Sequence, residues 1–280
     1  MTDEADEMFE AIILGIIQGL TEFIPISSSA HIRLAGEVFP NAIDPGAMFT
    51  AITQIGTELA VLIYFRKDIM RIVSAWFSGL TDKSARNQDS KMGWLIIIGS
   101  VPIVVIGYLA QDFIETDLRS LWIIATTMVV FGLILGAADR YAPKSKELSQ
   151  LSVKHGLLYG LAQSLALIPG VSRSGATIAM GRVLGYSREA ALRYSFLLAL
   201  PAVFGSGFYQ LKNALGDDQV AVYSLTETFV ATAIAFVVGY LVIAWLLKFV
   251  TTKSFAPFII YRVILGTTLL VLLATGVLQP

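Results

Sequence analysis

Ionisable and hydroxyl side chains gather in two short stretches of a largely apolar chain. The first holds Gln18, Glu22, Ser27, Ser28, Ser29 and His31, and the second holds Ser172, Arg173, Ser174 and Thr177. Gln18 and Glu22 stand at i and i+4, so on a helix both face one side. Ser28 and His31 stand at i and i+3, which suits a nucleophile with its base, or a water with a general acid. Arg173 is planar and permanently charged, the side chain best matched to phosphate. The small residues around it, Ser172-Arg173-Ser174-Gly175, lead into a helix whose first N–H groups and positive dipole end suit an anion. A carboxylate, an imidazole, hydroxyls and a guanidinium converging in a dry pocket point to phosphate ester or anhydride chemistry. Ionisable groups in a membrane segment cost about 2.5–3.5 kcal/mol each on the insertion scale, so they mark function by default.

The elements that must position these residues are unusual. Each stretch interrupts a short apolar run, 11–21 in one case and 156–172 in the other, at Pro25 and at Pro169-Gly170. A short apolar piece ending in Pro and small polar residues predicts a re-entrant, broken helical hairpin rather than a clean span. Irregular backbone at membrane depth has to be buried in protein or line a wet cavity. Six further segments, 45–65, 93–110, 120–138, 194–211, 228–247 and 254–276, are long and apolar enough to cross a bilayer. The expected fold is therefore all-α and integral to the membrane, with six transmembrane helices and two re-entrant hairpins.

The two broken stretches also resemble each other. Gly15-Ile-Ile-Gln18 aligns with Gly160-Leu-Ala-Gln163, Ile24-Pro25 with Ile168-Pro169, and Ser27-x-Ser29-Ala30 with Ser172-x-Ser174-Gly175. The chain thus reads as one membrane domain, 1–280, built of two repeats, 9–140 and 154–277. Each repeat is a broken hairpin followed by three spans. An odd number of spans inverts the second copy, which brings two broken helices to one site near the midplane.

Composition agrees. The 280 residues are 55% hydrophobic and 15% charged, with mean hydropathy +0.71, whereas soluble domains carry about 25% charge. There is no cysteine and there are two histidines, which excludes thiolate chemistry, disulfides and Cys-type metal sites. A net charge of −1 gives no reason to expect nucleic acid. Lysine and arginine crowd three connections: Arg66, Lys67, Arg71, Lys83, Arg86 and Lys91; Arg140, Lys144, Lys146 and Lys154; Lys248 and Lys253. With six spans these loops share one side, which the positive-inside rule makes cytoplasmic. The acidic start, residues 112–117 and Asp217-Asp218 fall outside, so both termini and the mouth of the first hairpin face outward.

Gln18-Gly-Leu-Thr-Glu22-Phe-Ile-Pro-Ile-Ser-Ser28-Ser-Ala-His31 and Pro169-Gly-Val-Ser172-Arg173-Ser174-Gly-Ala-Thr177 resemble the two signatures of the undecaprenyl-diphosphate phosphatases, or bacitracin-resistance proteins. Ser195-Phe-Leu-Leu-Ala-Leu-Pro201 and Pro257-Phe-Ile-Ile-Tyr261-Arg262 resemble further stretches of that family. The resemblance implies a plasma-membrane enzyme that removes the terminal phosphate of a polyprenyl diphosphate in the outer leaflet and leaves the monophosphate carrier lipid. It places the family's acidic motif on Gln18 and Glu22, its catalytic Ser and His on Ser28 and His31, and its phosphate-binding Arg on Arg173. It implies a divalent cation, Mg²⁺ or Ca²⁺, with Glu22 as ligand; hard cations take oxygen donors. Gln18, Ser27, Ser172, Ser174 and Thr177 are the expected substrate-binding residues. A homodimer is one assembly the sequence leaves open.

Three departures from the family pattern stand out. Gln18 replaces a common Glu, and an amide orients substrate or metal but cannot act as a base. Ser29-Ala30 replaces a common Thr-Gly. Glu58 sits inside the first span, where an apolar residue is usual, and reads equally as a pocket residue, a partner for an Arg or a neutral buried acid. Arg262 reads either as the partner of a carboxylate or as a contact for the diphosphate. His155 is expected to be solvated in a basic loop. The competing function is a polyprenyl-phosphate flippase or transporter, since inverted repeats with broken helices serve transporters too; release of phosphate separates the two.

Overall fold

The computed structural model describes residues 4–39, 45–110, 113–114, 117–215 and 222–279. The acidic positions Asp112, Asp217 and Asp218 lie outside the described residues. The described residues form helices α1 (Glu4–Thr21), α2 (Ser28–Val38), α3 (Gly46–Tyr64), α4 (Arg66–Thr81), α5 (Gln88–Leu109) and α6 (Leu121–Tyr141). They continue as α7 (Val153–Ser164), α8 (Arg173–Val183), α9 (Arg188–Ala214), α10 (Leu225–Thr252) and α11 (Ala256–Ala274). Six of them, α3, α5, α6, α9, α10 and α11, are long and apolar enough to cross a membrane. They coincide with the six expected spans, and the protein is a multi-pass membrane protein. Val104, Leu133, Val237 and Ile264 point outward from these helices, as lipid-facing side chains do.

The helices outrun the apolar windows because polar caps extend them. Asn87 and Ser90 cap each other at the start of α5, and Ser224 and Glu227 do so at α10. The basic stretch 66–91, expected as a loop, is largely α4. Ile69, Ile72, Val73, Trp76, Phe77 and Leu80 recur there at helical spacing, and the helix packs along α5. Its charges are paired across elements: Arg71 with Asp89 at 2.9 Å and Asp68 with Arg193 at 3.0 Å.

Helices α1 and α7 each pack on a long span from the other half of the chain, α1 on α10 and α7 on α5. Glycine permits both crossings. A Cβ on Gly15 would lie 2.6 Å from Ala231 O, and one on Gly160 would lie 2.2 Å from Gly99 O. These are the two glycines that the internal alignment pairs.

Helices α1 and α2 are separated by residues 22–27. Helix α7 ends in a 3₁₀ turn, Leu165–Leu167, before the second break leads into α8. Each break closes in the same way. Ser27 and Ser172 have φ of 75° and 68°, and among the described residues they are the non-glycine residues with positive φ. That backbone is strained for a side-chain-bearing residue. Each serine then caps the following helix, accepting from Ala30 N–H at 3.4 Å and from Gly175 N–H at 3.1 Å. Each also lies 3.2 Å, hydroxyl to hydroxyl, from the serine two residues on.

Arg262 ties the breaks together. It is fully buried, and it donates to Met128 O (2.9 Å), Pro25 O (3.1 Å), Gly170 O (2.8 Å) and Val171 O (3.1 Å). Among the described residues no carboxylate pairs with it; three of its bonds go to carbonyls of the two breaks and the fourth to Met128, inside α6. A second buried arginine, Arg182, fastens α8 to the end of α6 through Asp139 Oδ1 (3.2 Å) and the carbonyls of Ala142, Pro143 and Tyr186. Asp139 also takes Arg188 at 2.7 Å and the Phe255 N–H at 3.2 Å.

Candidate active site

Glu22 follows the last turn of α1, 5% exposed, where the helix gives way to the first break. Its Oε2 accepts from Gln18 Nε2 at 2.8 Å and from Ser28 Oγ at 2.6 Å. Gln54 Nε2, on α3, approaches the same oxygen at 3.5 Å. Its Oε1 accepts from Arg173 Nη2 at 2.8 Å. Arg173 opens α8, so one carboxylate joins the end of α1, the start of α2 and the start of α8. The same Nη2 donates to Glu58 Oε1 at 2.6 Å. Two carboxylates and one guanidinium therefore meet among helices whose other buried side chains are mostly apolar.

Of the expected site residues, Gln18, Glu22, Ser28 and Arg173 form one hydrogen-bonded chain. Ser172 and Ser174 frame Arg173. Ser174 Oγ donates to Glu22 O and Ile24 O at 3.4 and 3.5 Å, which stitches the second break to the first. Ser27 and Ser172 spend their hydroxyls as caps. Thr177 lies one turn into α8 and is fully buried; it donates to Arg173 O at 2.8 Å and stands 2.5 Å from Ser195 Oγ. Its hydroxyl steadies the first turn of α8.

Ser28 and His31 do not pair. Ser28 gives its proton to Glu22, while His31 is held at both nitrogens elsewhere. Nδ1–H donates to Ser27 O at 2.7 Å, because a carbonyl only accepts. In the neutral ring Nε2 is then the acceptor, 2.7 Å from the Tyr261 hydroxyl, whose ring stacks on the imidazole at 5.6 Å. Nothing local in the sequence links Tyr261 to His31, 230 residues away. His155 is half-buried rather than solvated: its Nδ1 lies 2.7 Å from Tyr186 Oη. Burial, then Lys146 and Lys154, hold its imidazole below the ordinary value.

Three buried polar atoms in this cluster have no hydrogen-bond partner: Gln18 Oε1, Glu58 Oε2 and Arg173 Nε. Buried polar groups are normally paired, so the cluster has spare capacity for a polar ligand. Among the described residues no three His, Cys, Asp or Glu side chains gather as a metal site. A carboxylate beside an idle amide oxygen is nevertheless an all-oxygen donor set, the kind that hard divalent cations take.

Arg173 also reaches a cleft of about 460 Å³. Gln54 shares its polar end, and Val104, Leu167, Val203 and Tyr209 supply much of its apolar wall. The volume lies within the ordinary range for ligand sites, about 300–1,000 Å³.

The profile of the family described as bacitracin resistance protein BacA matches residues 11–268. An undecaprenyl-diphosphatase of Paenarthrobacter aurescens is 60% identical over 272 residues, covering 96% of this chain and 98% of that protein. One from Micrococcus luteus is 59% identical over 272 residues, with the same coverage of 96% and 98%. The undecaprenyl-diphosphatase 2 of Streptomyces coelicolor is 56% identical over 285 residues, 97% of each chain.

Proposed function

Because the chain belongs to the bacitracin resistance protein BacA family, we propose that it hydrolyses undecaprenyl diphosphate to the monophosphate and inorganic phosphate. The observation that carries this is the chain Ser28–Glu22–Arg173, which sets a hydroxyl with a proton acceptor beside a guanidinium at two facing helix starts. The Arg173 donors and the first N–H groups of α2 and α8 receive the phosphoryl oxygens, where charge builds in the transition state. Ser28 Oγ attacks the terminal phosphorus while Glu22 Oε2 takes its proton. The bond to the bridging oxygen breaks and the lipid monophosphate leaves. Water then attacks the phosphoserine; His31 Nε2, released from Tyr261, takes the water proton, the P–Oγ bond breaks, and Glu22 returns its proton to Ser28 Oγ as phosphate departs. Glu22 and Gln18 Oε1 are the groups that would hold Mg²⁺ or Ca²⁺, which when bound neutralises diphosphate oxygens.

The apolar cleft beside Arg173 takes the first prenyl units. The molecule sits in the plasma membrane with both termini and the site facing outward, so the substrate enters from the outer leaflet. Its two halves are inverted repeats, and the two broken stretches are re-entrant. What supports this is the shared positive-φ serine cap of the two breaks and the exchanged packing of α1 on α10 and α7 on α5.

The test is phosphate release from undecaprenyl diphosphate by the detergent-purified protein, with and without Mg²⁺ or Ca²⁺, beside Arg173→Ala. Metal-dependent release that vanishes in the variant is expected. A folded, lipid-binding wild type that releases nothing turns the reading to lipid transport.

A further inference from the structure

Glu58 is absent from the chemistry written above, yet it is the most deeply placed acid of the site. It lies within α3, fully buried, inside a helix long enough to span a membrane. An ionised group there is costly and marks function by default. Gln54, one turn earlier on the same helix face, reaches towards Glu22 and lines the cleft with Arg173. The α3 face carrying both residues is therefore a wall of the site.

The pairing of Glu58 with Arg173 is monodentate. An Arg–carboxylate pair is commonly bidentate, with two parallel N–H donors on two carboxylate oxygens. Here a single nitrogen, Arg173 Nη2, serves two carboxylates, Glu22 Oε1 at 2.8 Å and Glu58 Oε1 at 2.6 Å. Arg173 Nε and Glu58 Oε2 stay idle although both are buried. Held between two acids, the guanidinium cannot close its Nε–Nη2 edge on either one. With a single acid beside it, that edge closes on Glu22 and Nε is consumed.

We propose that Glu58 is a positioning residue of the diphosphate site: it holds Arg173 off a closed pair with Glu22 and so keeps the Nε edge available to a phosphoryl group. The proposal rests on the diphosphate reading above, but it concerns the binding of the anion and can be judged separately from hydrolysis. A phosphate oxygen pairs with Nε. Glu58 Oε2 is likewise without a partner, so a diphosphate that arrives with a divalent cation meets an idle donor for its oxygens and an idle acceptor for its counter-charge.

The test uses the full chain in detergent, as wild type, Glu58→Ile and Glu58→Gln. Three quantities are read: the melting transition, the apparent Kd for inorganic pyrophosphate with Mg²⁺ from thermal stabilisation, and kcat with KM for phosphate release. The isoleucine variant is expected to keep a cooperative melt, to bind pyrophosphate at least tenfold more weakly and to lose at least 100-fold in kcat/KM. The glutamine variant, which keeps an acceptor for Nη2 but not the charge, falls between. Folded Glu58→Ile with Kd and kcat/KM within threefold of wild type overturns the proposal. So does a loss of activity that only tracks a lowered melt while the folded fraction binds pyrophosphate normally, because that is a structural role. If the wild type binds pyrophosphate but releases no phosphate, the hydrolytic reading fails, and the change in Kd still decides the part played by Glu58.

Discussion

Replacing Arg262 with Met tests whether one side chain holds both breaks. Methionine keeps much of the apolar stem and removes every donor. Four buried carbonyls, those of Pro25, Met128, Gly170 and Val171, then lose a charge-assisted bond. A buried polar group left unpaired costs about 1–3 kcal/mol. Against that sum stands the desolvation of the guanidinium, several kcal/mol, which disappears with the side chain. The net loss is about 3–5 kcal/mol, in the range seen when one side of a buried charged network is removed. Arg262→Lys restores the charge but not the planar fork that reaches both breaks at once, so it recovers part of the loss. Detergent-solubilised membrane proteins commonly unfold irreversibly, so the assay is the half-life of phosphatase activity at fixed temperature, with kcat measured before heating. Arg262→Met is expected to shorten the half-life at least tenfold and to lower kcat, because Ser28 and Arg173 follow the two breaks directly. A variant matching wild type within twofold in both readings refutes the stapling role.

Ser28→Ala is expected to lower kcat about 100-fold or more, whereas Ser29→Ala, whose hydroxyl meets Ser27 Oγ, stays within threefold; phosphate release at saturating substrate measures both. Gly160→Ala forces a Cβ to within 2.2 Å of Gly99 O and is expected to cost about 1–3 kcal/mol, read as a lowered melt beside Gly205→Ala, which meets nothing within 4 Å. Chelation of divalent cations is expected to stop phosphate release and added Mg²⁺ to restore it; full activity in excess chelator removes the cation from the mechanism. The double variant Gln18→Glu/Glu58→Ile moves the second carboxylate to the opposite flank of Glu22 at unchanged net charge. It is expected to recover at least tenfold in kcat/KM over Glu58→Ile alone, and no recovery means that the position of the acid matters and not the charge count.

The sequence is most informative where a feature is local. The six spans follow from hydropathy, and the breaks follow from Pro25 and Pro169-Gly170 with the serines after them. Helix α4 was equally local, but its basic residues outweighed the apolar period of Ile69, Ile72, Val73, Trp76, Phe77 and Leu80. Side-chain partners separated by long stretches of chain are another matter. Arg173 meets Glu22 across 151 residues and Glu58 across 115. The internal alignment suggested that the first meeting would occur, and nothing in the sequence selected Glu58 from its three readings. Ser28 and His31 have the spacing of a couple, yet helix geometry only sets them on one face. Which partner each finds depends on Glu22 after α1 and on Tyr261 in α11.

Arg262 and Arg173 do different work at the two breaks. Chain breaks expose carbonyls, and at membrane depth exposed carbonyls have no water to pair with. Arg262 answers that need with three of its five N–H donors and gives a fourth to Met128 O inside α6. Arg173 answers a different need. It faces two carboxylates and keeps Nε without a hydrogen-bond partner. Had the breaks been satisfied by Arg173 itself, no donor would stand beside Ser28. Because Arg262 reaches the breaks from the far helix α11, Arg173 and Ser28 are not called on to pair those carbonyls.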